Sequence, residues 1–447
     1  MLKFENLGET LLTQNLAKII LVSGALLSSA ASFGKEFVAF GDLRGHFEPC
    51  GCNPETDMGG VARISSFIDL ERSRFKELEV FSLGNNFHHD DFTLEDEFIQ
   101  KGVEDLEATA MLVGKTEWIH RNRLKSKKRY LLSNSESDEF KKFIETKSSL
   151  IFGLTEYDSL KIKKKTLDKI YQKLEKSKKR TVLLYSGTKK TFFNLKLADK
   201  FDHVLVANFR PFSDAPDARE RLDESLLSIG PNSFVSPLGG QGMITHMIPT
   251  VDLKPENQGK SFSPGSGIFG DAGPSFKNFH WLLREGLYGK KPEGLLNAYK
   301  KASSNSFKFR VSQRVKDIEG SDYVGSEACK ACHSDAYEVY KKSSHHTAYE
   351  TLIKANQHEN EVCVKCHVVG YDKKGGFVSI EHTPHLAGVG CEQCHGPRKA
   401  HVRNPTKKQN YNVSLPSESC SACHVPPHSV NFDYTKYWQK ILHGPIR

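Results

Sequence analysis

Methionine, tryptophan and long apolar runs are scarce in this chain of 447 residues. It contains five Met and three Trp, and no Met lies beyond Met247. A metal site in the last part of the chain must therefore form without a thioether ligand from its own segment. The apolar run Ile19–Leu27 is too short for the about 20 residues that a membrane-spanning helix needs. We therefore predict no stable insertion into a membrane.

The N-terminus has the residue order of a cleaved secretory signal. Lys18 precedes the apolar run Ile19–Leu27, and the small residues Ser28–Ser32 follow it. This order predicts a signal peptide over residues 1–31 and a periplasmic mature protein. A short uncleaved anchor is the alternative, and no Cys follows the run to carry a lipid.

Metal-binding residue types are concentrated at the other end of the chain. Eight of the ten Cys and 12 of the 19 His lie between Ser321 and Arg447. The Cys form four copies of the motif Cys-x-x-Cys-His. The cysteine pairs are Cys329 and Cys332, Cys363 and Cys366, Cys391 and Cys394, and Cys420 and Cys423, and the histidines that follow them are His333, His367, His395 and His424.

This spacing has a chemical reason. Two thiols three residues apart can form thioethers to the two vinyl groups of one haem, and the adjacent His then becomes a ligand of the iron. A zinc site does not require a His directly after each Cys pair. Four copies in one segment therefore predict four covalently bound haems c.

The second iron ligand can be narrowed by composition. Because the segment has no Met, each iron is left with a second His or an open position. Two His ligands predict a low reduction potential. Eight His outside the motifs are available for four irons: His345, His346, His358, His382, His385, His401, His428 and His443.

The segment 321–447 resembles the cytochrome c-554-type tetrahaem domains. The resemblance is carried by four stretches, Tyr323–His333, Ser344–Leu352, Cys363–Tyr371 and Gly390–Pro397, and by the ending Tyr437–His443. It implies a mainly helical and irregular periplasmic electron carrier, with mostly bis-His haems and one sometimes left open.

The same resemblance favours three residues as second iron ligands, His345, His385 and His401. His346 replaces His345 if the register is shifted by one. His443 is either a ligand or a surface residue. For the others outside the motifs, His358, His382 and His428, an exposed loop position is favoured.

Residues 36–255 alternate between strand-like and helix-like stretches, which predicts a layered α/β domain. The predicted strands are Glu36–Leu43, Leu78–Leu83, Thr181–Tyr185 and Asp202–Ala207, and the predicted helices are Gly59–Arg74, Leu94–Val113 and Leu167–Lys178. The charged stretch Ser133–Lys179 predicts solvated helix surface. Residues 256–320 are expected to form a linker with one helix around Pro292–Ser303.

The stretch Phe40–Cys52, with Gly59–Arg63, resembles the opening of calcineurin-like metallophosphatases related to 5′-nucleotidases. The family pattern Asp-x-His retains Asp42 here but has Arg44 in place of its His. The later family motifs appear as Gly84-Asn85 and Gly114-Lys115-Thr116-Glu117, which lack several metal ligands. Cationic side chains would also repel the two metal ions. The resemblance implies this fold without catalytic residues.

Two smaller groups remain open. Cys50 and Cys52, close to His46, either bind a metal or act as a redox pair, or else form a structural pair. His88 and His89, near Asp90 and Asp91, have the composition of a metal cluster, but a solvated loop is favoured.

The expected function is electron transfer between periplasmic or membrane-bound donor and acceptor proteins. The alternatives are reduction of a small nitrogen or oxygen species at a five-coordinate haem and, less favoured, phosphoester hydrolysis. The net charge of +9 does not indicate nucleic-acid binding, because residues 321–447 hold 15 Lys+Arg against 12 Asp+Glu before haem propionates are added.

Overall fold

The computed structural model describes most of both predicted domains. The described residues are 37–48, 60–157, 159–207, 290–407, 417–424, 429 and 432–443, together with the backbone of the strands at 227–230, 233–235, 244–248 and 275–278. The predicted signal peptide, Cys50, Cys52 and His428 lie outside this set. None of the helices in the described ranges has both the length and the apolar character needed to cross a bilayer.

Among the described residues, twelve strands form two six-stranded sheets. Their bounds are β1 Phe37–Phe40, β2 Glu79–Ser82, β3 Ala110–Leu112, β4 Tyr130–Leu131, β5 Ile144–Glu145, β6 Ser149–Thr155, β7 Arg180–Ser186, β8 His203–Val206, β9 Leu227–Gly230, β10 Ser233–Val235, β11 Ile244–Ile248 and β12 Ser275–Asn278.

Each sheet has a parallel centre. The first has the order β12-β11-β1-β2-β3-β4, with β1 to β4 parallel and β11 and β12 antiparallel to their neighbours. The second has the order β5-β6-β7-β8-β10-β9, with β6, β7, β8 and β10 parallel. Such strands require crossover helices, which explains the alternation seen in the sequence.

The two sheets pack face to face, with helices on their outer faces. Apolar residues of both sheets, among them Phe81 and Leu184, meet in one buried cluster between the sheets. A second cluster lies between the first sheet and its helices, and a third between the second sheet and its helices. The predicted layered α/β fold is confirmed.

The helices of the N-terminal domain, among the described residues, are Val61–Arg74, Leu94–Asp105, Lys115–Ile119, Lys164–Glu175 and Lys189–Asn194. Helix Leu94–Asp105 begins with a capping box, in which Thr93 and Asp96 satisfy each other's backbone N–H groups.

Two predictions for this domain were wrong. The predicted helix Leu94–Val113 ends at Asp105, and Ala110–Leu112 is the buried strand β3. The stretch Ser133–Lys179 is not all solvated helix, because it contains β6, which is buried at every position. Charged residues on both sides of β6 concealed its apolar run.

The helix Lys290–Arg314, which we call the bridging helix, joins the two domains. Near its start, Leu295 and Tyr299 pack into the core of the first sheet. Near its end, Phe307 and Val311 pack into the core of the C-terminal domain. The predicted helix around Pro292–Ser303 is therefore the first part of a longer one.

The C-terminal domain consists of short helices joined by turns. They are Glu327–Lys330, Ser334–Lys342, Ala348–Lys354, Glu361–His367, Cys391–His395, Lys399–Arg403, Ser417–Ser421 and Tyr434–Ile441. Its apolar core is small and centred on Tyr349, Val364 and Phe377.

Candidate haem-binding site

The four Cys-x-x-Cys-His motifs lie on or next to short helices. In the first motif the backbone N–H of His333 donates to the carbonyl of Cys329 at 2.9 Å, and in the fourth His424 donates to Cys420 at 2.8 Å. One helical turn therefore brings each His next to its Cys pair. Each of the eight motif Cys is exposed or partly exposed. This arrangement leaves the thiols accessible for covalent attachment.

Three of the four motif histidines face a second histidine. The ring centroids are 6.2 Å apart for His333 and His401, 6.0 Å for His424 and His345, and 5.8 Å for His395 and His443. A metal held between two imidazoles at the ~2 Å distance typical of histidine ligands requires ring centroids about 6 Å apart. The three pairs therefore fit an iron between them.

Burial favours the metal-binding form of three of these histidines. It lowers the pKa of His345, His395 and His424, because a charged imidazolium is poorly solvated there. Neighbouring histidines lower the pKa of His345 and His395 further. Neutral imidazole is the form that ligates metals.

The second motif differs from the other three. His367 Nδ1 is 2.7 Å from the carbonyl oxygen of Ala348, which orients the ring and leaves Nε2 for a metal. Among the described residues, no histidine ring packs against His367. His385 lies exposed in the 3-10 turn Pro384–Leu386, beside Gly325. Its role as an iron ligand stays a prediction.

The alternative residues occupy other positions. The ring of His346 packs against Tyr340 at 5.2 Å, whereas His345 faces His424. His382 is exposed, and its Nδ1 is 2.8 Å from Ser379 Oγ. Of the two neighbouring histidines, His345 is therefore the one that faces a motif histidine.

Thiols of different motifs are in contact. Cys329 and Cys391 are hydrogen-bonded, and so are Cys366 and Cys423. The bond from Cys329 lowers the pKa of the Cys391 thiol to about 6, and the same bond raises the pKa of Cys329. The first attachment site therefore lies beside the third, and the second beside the fourth.

Glu392, between the cysteines of the third motif, is a structural residue that the sequence analysis missed. The residue is 3% exposed, and its carboxylate accepts hydrogen bonds from three backbone N–H groups, those of Val324, Gly325 and Arg398, at 2.8–3.2 Å. It ties the start of the domain to the third motif. Glu392 occupies one of the two variable positions of Cys-x-x-Cys-His, where the sequence pattern does not indicate a structural role.

The N-terminal domain places a different set of residues at the carboxyl ends of β1 and β2. The buried Asp42 and the partly buried Arg44 form an ion pair at 3.5 Å. The buried Glu117 carboxylate accepts hydrogen bonds from the backbone N–H groups of Asn85 and Asn86 at 2.7 and 3.0 Å. In the described ranges, no group of three or more His, Cys, Asp or Glu side chains is arranged to hold a metal.

The backbone at this edge is strained. Asp42, Arg44 and Asn85 have φ values of 58°, 49° and 57°, a region that side chains other than glycine rarely occupy. Strain of this kind concentrates at functional sites.

His88 and His89 are not part of one metal cluster. His88 Nδ1 is 3.0 Å from Asp96 Oδ2, and its side chain is 30% exposed. His89 Nδ1 is 2.8 Å from Asp90 Oδ1. The two histidines therefore have separate acidic partners.

Comparison with known proteins agrees with the geometry of the C-terminal domain. The family described as cytochrome c554 and c-prime matches residues 328–396. This chain contains a cytochrome c554 domain. A domain of this type implies covalent c-type haem and haem-based electron transfer. Cytochrome c-554 of Nitrosomonas europaea is 30% identical over 136 residues, which cover 23% of this chain and 57% of that protein. The chain thus spans little more than half the length of this relative.

The chain also has structural neighbours among phosphoesterases. A 5′-nucleotidase precursor from Thermus thermophilus has a TM-score of 0.40 and 16% identity, over 60% of this chain and 59% of that one. A calcineurin-like phosphoesterase from Bacillus subtilis has a TM-score of 0.41 and 11% identity, over 62% and 98%. Both are similar to this chain in fold alone.

Proposed function

We propose that this chain is an extracytoplasmic electron-transfer protein with four covalently bound haems in residues 321–447. Each Cys-x-x-Cys-His motif would form two thioethers to one porphyrin and supply one imidazole to its iron. The haems supply one-electron redox chemistry when bound, and the chain positions them and sets their ligands. The observation that carries the proposal is the facing of three motif histidines by a second histidine at 5.8–6.2 Å.

This observation supports a ligand assignment. We assign His401 to the first haem, His443 to the third and His345 to the fourth. His/His ligation gives lower potentials than His/Met ligation, and the segment contains no Met. The three haems are therefore expected to be low-spin and low-potential.

The thiol contacts support close spacing of the haems. Contact between Cys329 and Cys391 brings the first and third attachment sites together, and contact between Cys366 and Cys423 does the same for the second and fourth. Electrons could then pass from haem to haem without leaving the chain. Donor and acceptor are expected to be periplasmic or membrane-bound redox proteins.

A haem count tests the proposal. The purified exported protein should give four haems per chain in the pyridine haemochrome assay. Acidified acetone should leave the colour in the polypeptide, because thioether bonds resist extraction. A count below four, or colour in the acetone, would contradict it.

The second motif supports a second candidate function. Since no described histidine faces His367, its iron could keep an open position and reduce a small nitrogen or oxygen species. Carbon monoxide added to the reduced protein should then perturb the spectrum of one haem of four. An unchanged spectrum would contradict an open iron position, and electron transfer would remain as the proposed function. Phosphoester hydrolysis is not supported, since the Arg44 guanidinium lies beside Asp42 where a metal ligand would be needed.

A further inference from the structure

The second haem-attachment helix, Glu361–His367, lies against the N-terminal domain. Its neighbour Asn360 is hydrogen-bonded to Tyr299 of the bridging helix, and the Tyr299 hydroxyl lies within the electrostatic reach of Cys363. Tyr299 in turn packs on Phe47 of the N-terminal domain, with ring centroids 4.6 Å apart. Cys363 is therefore close to the junction of the two domains.

A polar contact crosses the same junction. Gln357 Nε2 donates to Glu48 Oε2 at 2.6 Å, and Lys300 Nζ is 3.5 Å from Glu48 Oε1. The Glu48 side chain is only 13% exposed. It belongs to the strained loop that follows β1, so this loop borders the second attachment site.

Two proton-binding side chains lie behind this loop. His88 is held through Nδ1 by the fully buried Asp96, at 3.0 Å. The Asp96 partner and the backbone N–H bond from His88 to Asp96 at 2.9 Å fix the ring, so Nε2 is the atom left to exchange a proton. Glu95, the neighbour of Asp96, is buried and accepts a hydrogen bond from the backbone of Phe47.

The pKa of each of these two side chains is raised above its ordinary value. Burial raises the pKa of Glu95 to about 7. Burial lowers the pKa of His88, but the hydrogen bond and the charge of Asp96 outweigh this effect, so the pKa is raised. The charge of Lys365, inside the second motif, acts on His88 and lowers its pKa. Charge at the second attachment site therefore reaches this group.

We propose that Glu95 and His88 form a proton-binding site of the N-terminal domain that is coupled to the second attachment site, so that these side chains would take up a proton when a haem bound there is reduced. This inference rests on the proposed function. The electron comes from the donor redox protein and the proton from solvent, and both leave when the haem is oxidised. The charge of the proton then offsets the charge of the electron, so the net charge at the junction does not change. An uncompensated charge costs more free energy in a buried site than in an exposed one.

Other charged or titratable groups lie around this site, among them His120, whose Nε2 is 2.9 Å from the carbonyl oxygen of His88. The loop after β1 contributes Glu48, helix Leu94–Asp105 contributes Asp96, the bridging helix contributes Tyr299 and Lys300, and the second motif contributes Lys365. Glu48 and Asp96 raise the pKa of Glu95, whereas His88 lowers it. The negative charge of a further electron at the junction would also raise the pKa of Glu95, as the carboxylates of Glu48 and Asp96 do.

Redox titration of the complete haem-loaded protein between pH 5.5 and 8.5 tests the proposal. The potential of one redox component should become more negative with rising pH, by up to ~59 mV per pH unit, since one pH unit is a tenfold change in proton concentration and the equilibrium involves one electron. Glu95→Gln, which keeps the carbonyl acceptor, should flatten this slope. His88→Gln should shift the pH range of the slope. Proton uptake on reduction, followed with an indicator dye in weak buffer, should fall in parallel in Glu95→Gln.

Glu139→Gln is the matched control, since Glu139 is an exposed carboxylate of the same domain paired with Lys127. It should keep the wild-type slope. A slope that survives in both site variants would assign the proton to the haem propionates and overturn this inference, as would potentials that do not depend on pH. Either result would leave a count of four haems intact, whereas missing haem would contradict the proposed function itself.

Discussion

At the scale of single residues, the imidazole pairs determine the chemistry that we propose. His401, His443 and His345 each face a motif histidine that lies in a distant part of the segment. The ligand type at each iron should therefore change when one of these residues is replaced.

Replacing His401 by Met should raise the potential of the first haem, because a thioether stabilises ferrous iron relative to imidazole. Redox titration and the near-infrared charge-transfer band of Met-ligated haem would measure the change. His382→Met serves as a control, since His382 is exposed. Identical titration curves for His401→Met and wild type would remove His401 from the ligand set.

Glu95 makes folding stability depend on pH. Its pKa is about 7 in the folded protein and 4.5 in an unstructured chain, so the folded state binds more protons between these values. The stabilisation is fully present below pH 4.5 and is lost as pH rises through 7. At ~1.4 kcal/mol per pKa unit, the loss amounts to roughly 3 kcal/mol.

Glu95→Gln should therefore lose this dependence and become more stable than wild type above pH 7. Denaturant unfolding at pH 5 and pH 8 would measure the difference between the two proteins. A difference that is the same at both pH values would show that folding does not change proton binding by Glu95 in this range.

At the scale of elements, the bridging helix packs into two cores. Phe307 is buried in the core of the C-terminal domain, whereas Phe309, two residues along, is 68% exposed. Arg310 of the same helix lies over the Tyr371 ring at 4.3 Å and pairs with Glu361 at 3.4 Å. The helix thus anchors the second attachment helix through both apolar and charged contacts.

These two phenylalanines form a matched pair for mutation. Phe307→Ala should lower the free energy of unfolding of the haem-loaded protein by about 3–5 kcal/mol, because it leaves a cavity in a small core. Phe309→Ala should change it by less than about 0.5 kcal/mol. Denaturant unfolding followed by circular dichroism gives both values. Equal effects of the two variants would place the packing face elsewhere on the helix.

Sequence alone predicted the elements whose signals are local. The Cys-x-x-Cys-His motifs are recognisable within five residues, and strands such as β7 are short apolar runs of the right length. The strand β3 was predicted as helix because its apolar residues continue the pattern of the preceding helix. The ring contact of His345 with His424, and the contact of Glu95 with Phe47, depend on tertiary packing that no local pattern contains.

At the scale of the whole molecule, two domains of different chemistry share one helix and one polar junction. The N-terminal domain keeps a layered α/β architecture, with an Asp42–Arg44 ion pair at its carboxyl edge. The C-terminal domain has a small apolar core and eight cysteines that are at least partly exposed. The bridging helix keeps the second attachment site close to the first sheet.

The contacts between thiols of different motifs have a consequence for biosynthesis. In an oxidising compartment, Cys329 next to Cys391, and Cys366 next to Cys423, are pairs that a thiol oxidase could join as disulfides. Each such disulfide would use one sulfur atom of each of two haem-attachment motifs, and neither sulfur could then form a thioether. The chain exported from a host that lacks haem ligase should therefore contain these two crosslinks, detectable by mass spectrometry of non-reduced peptides. The ligase and the oxidase would then compete for the same thiols. A reductant in that compartment would favour the haem-loaded protein.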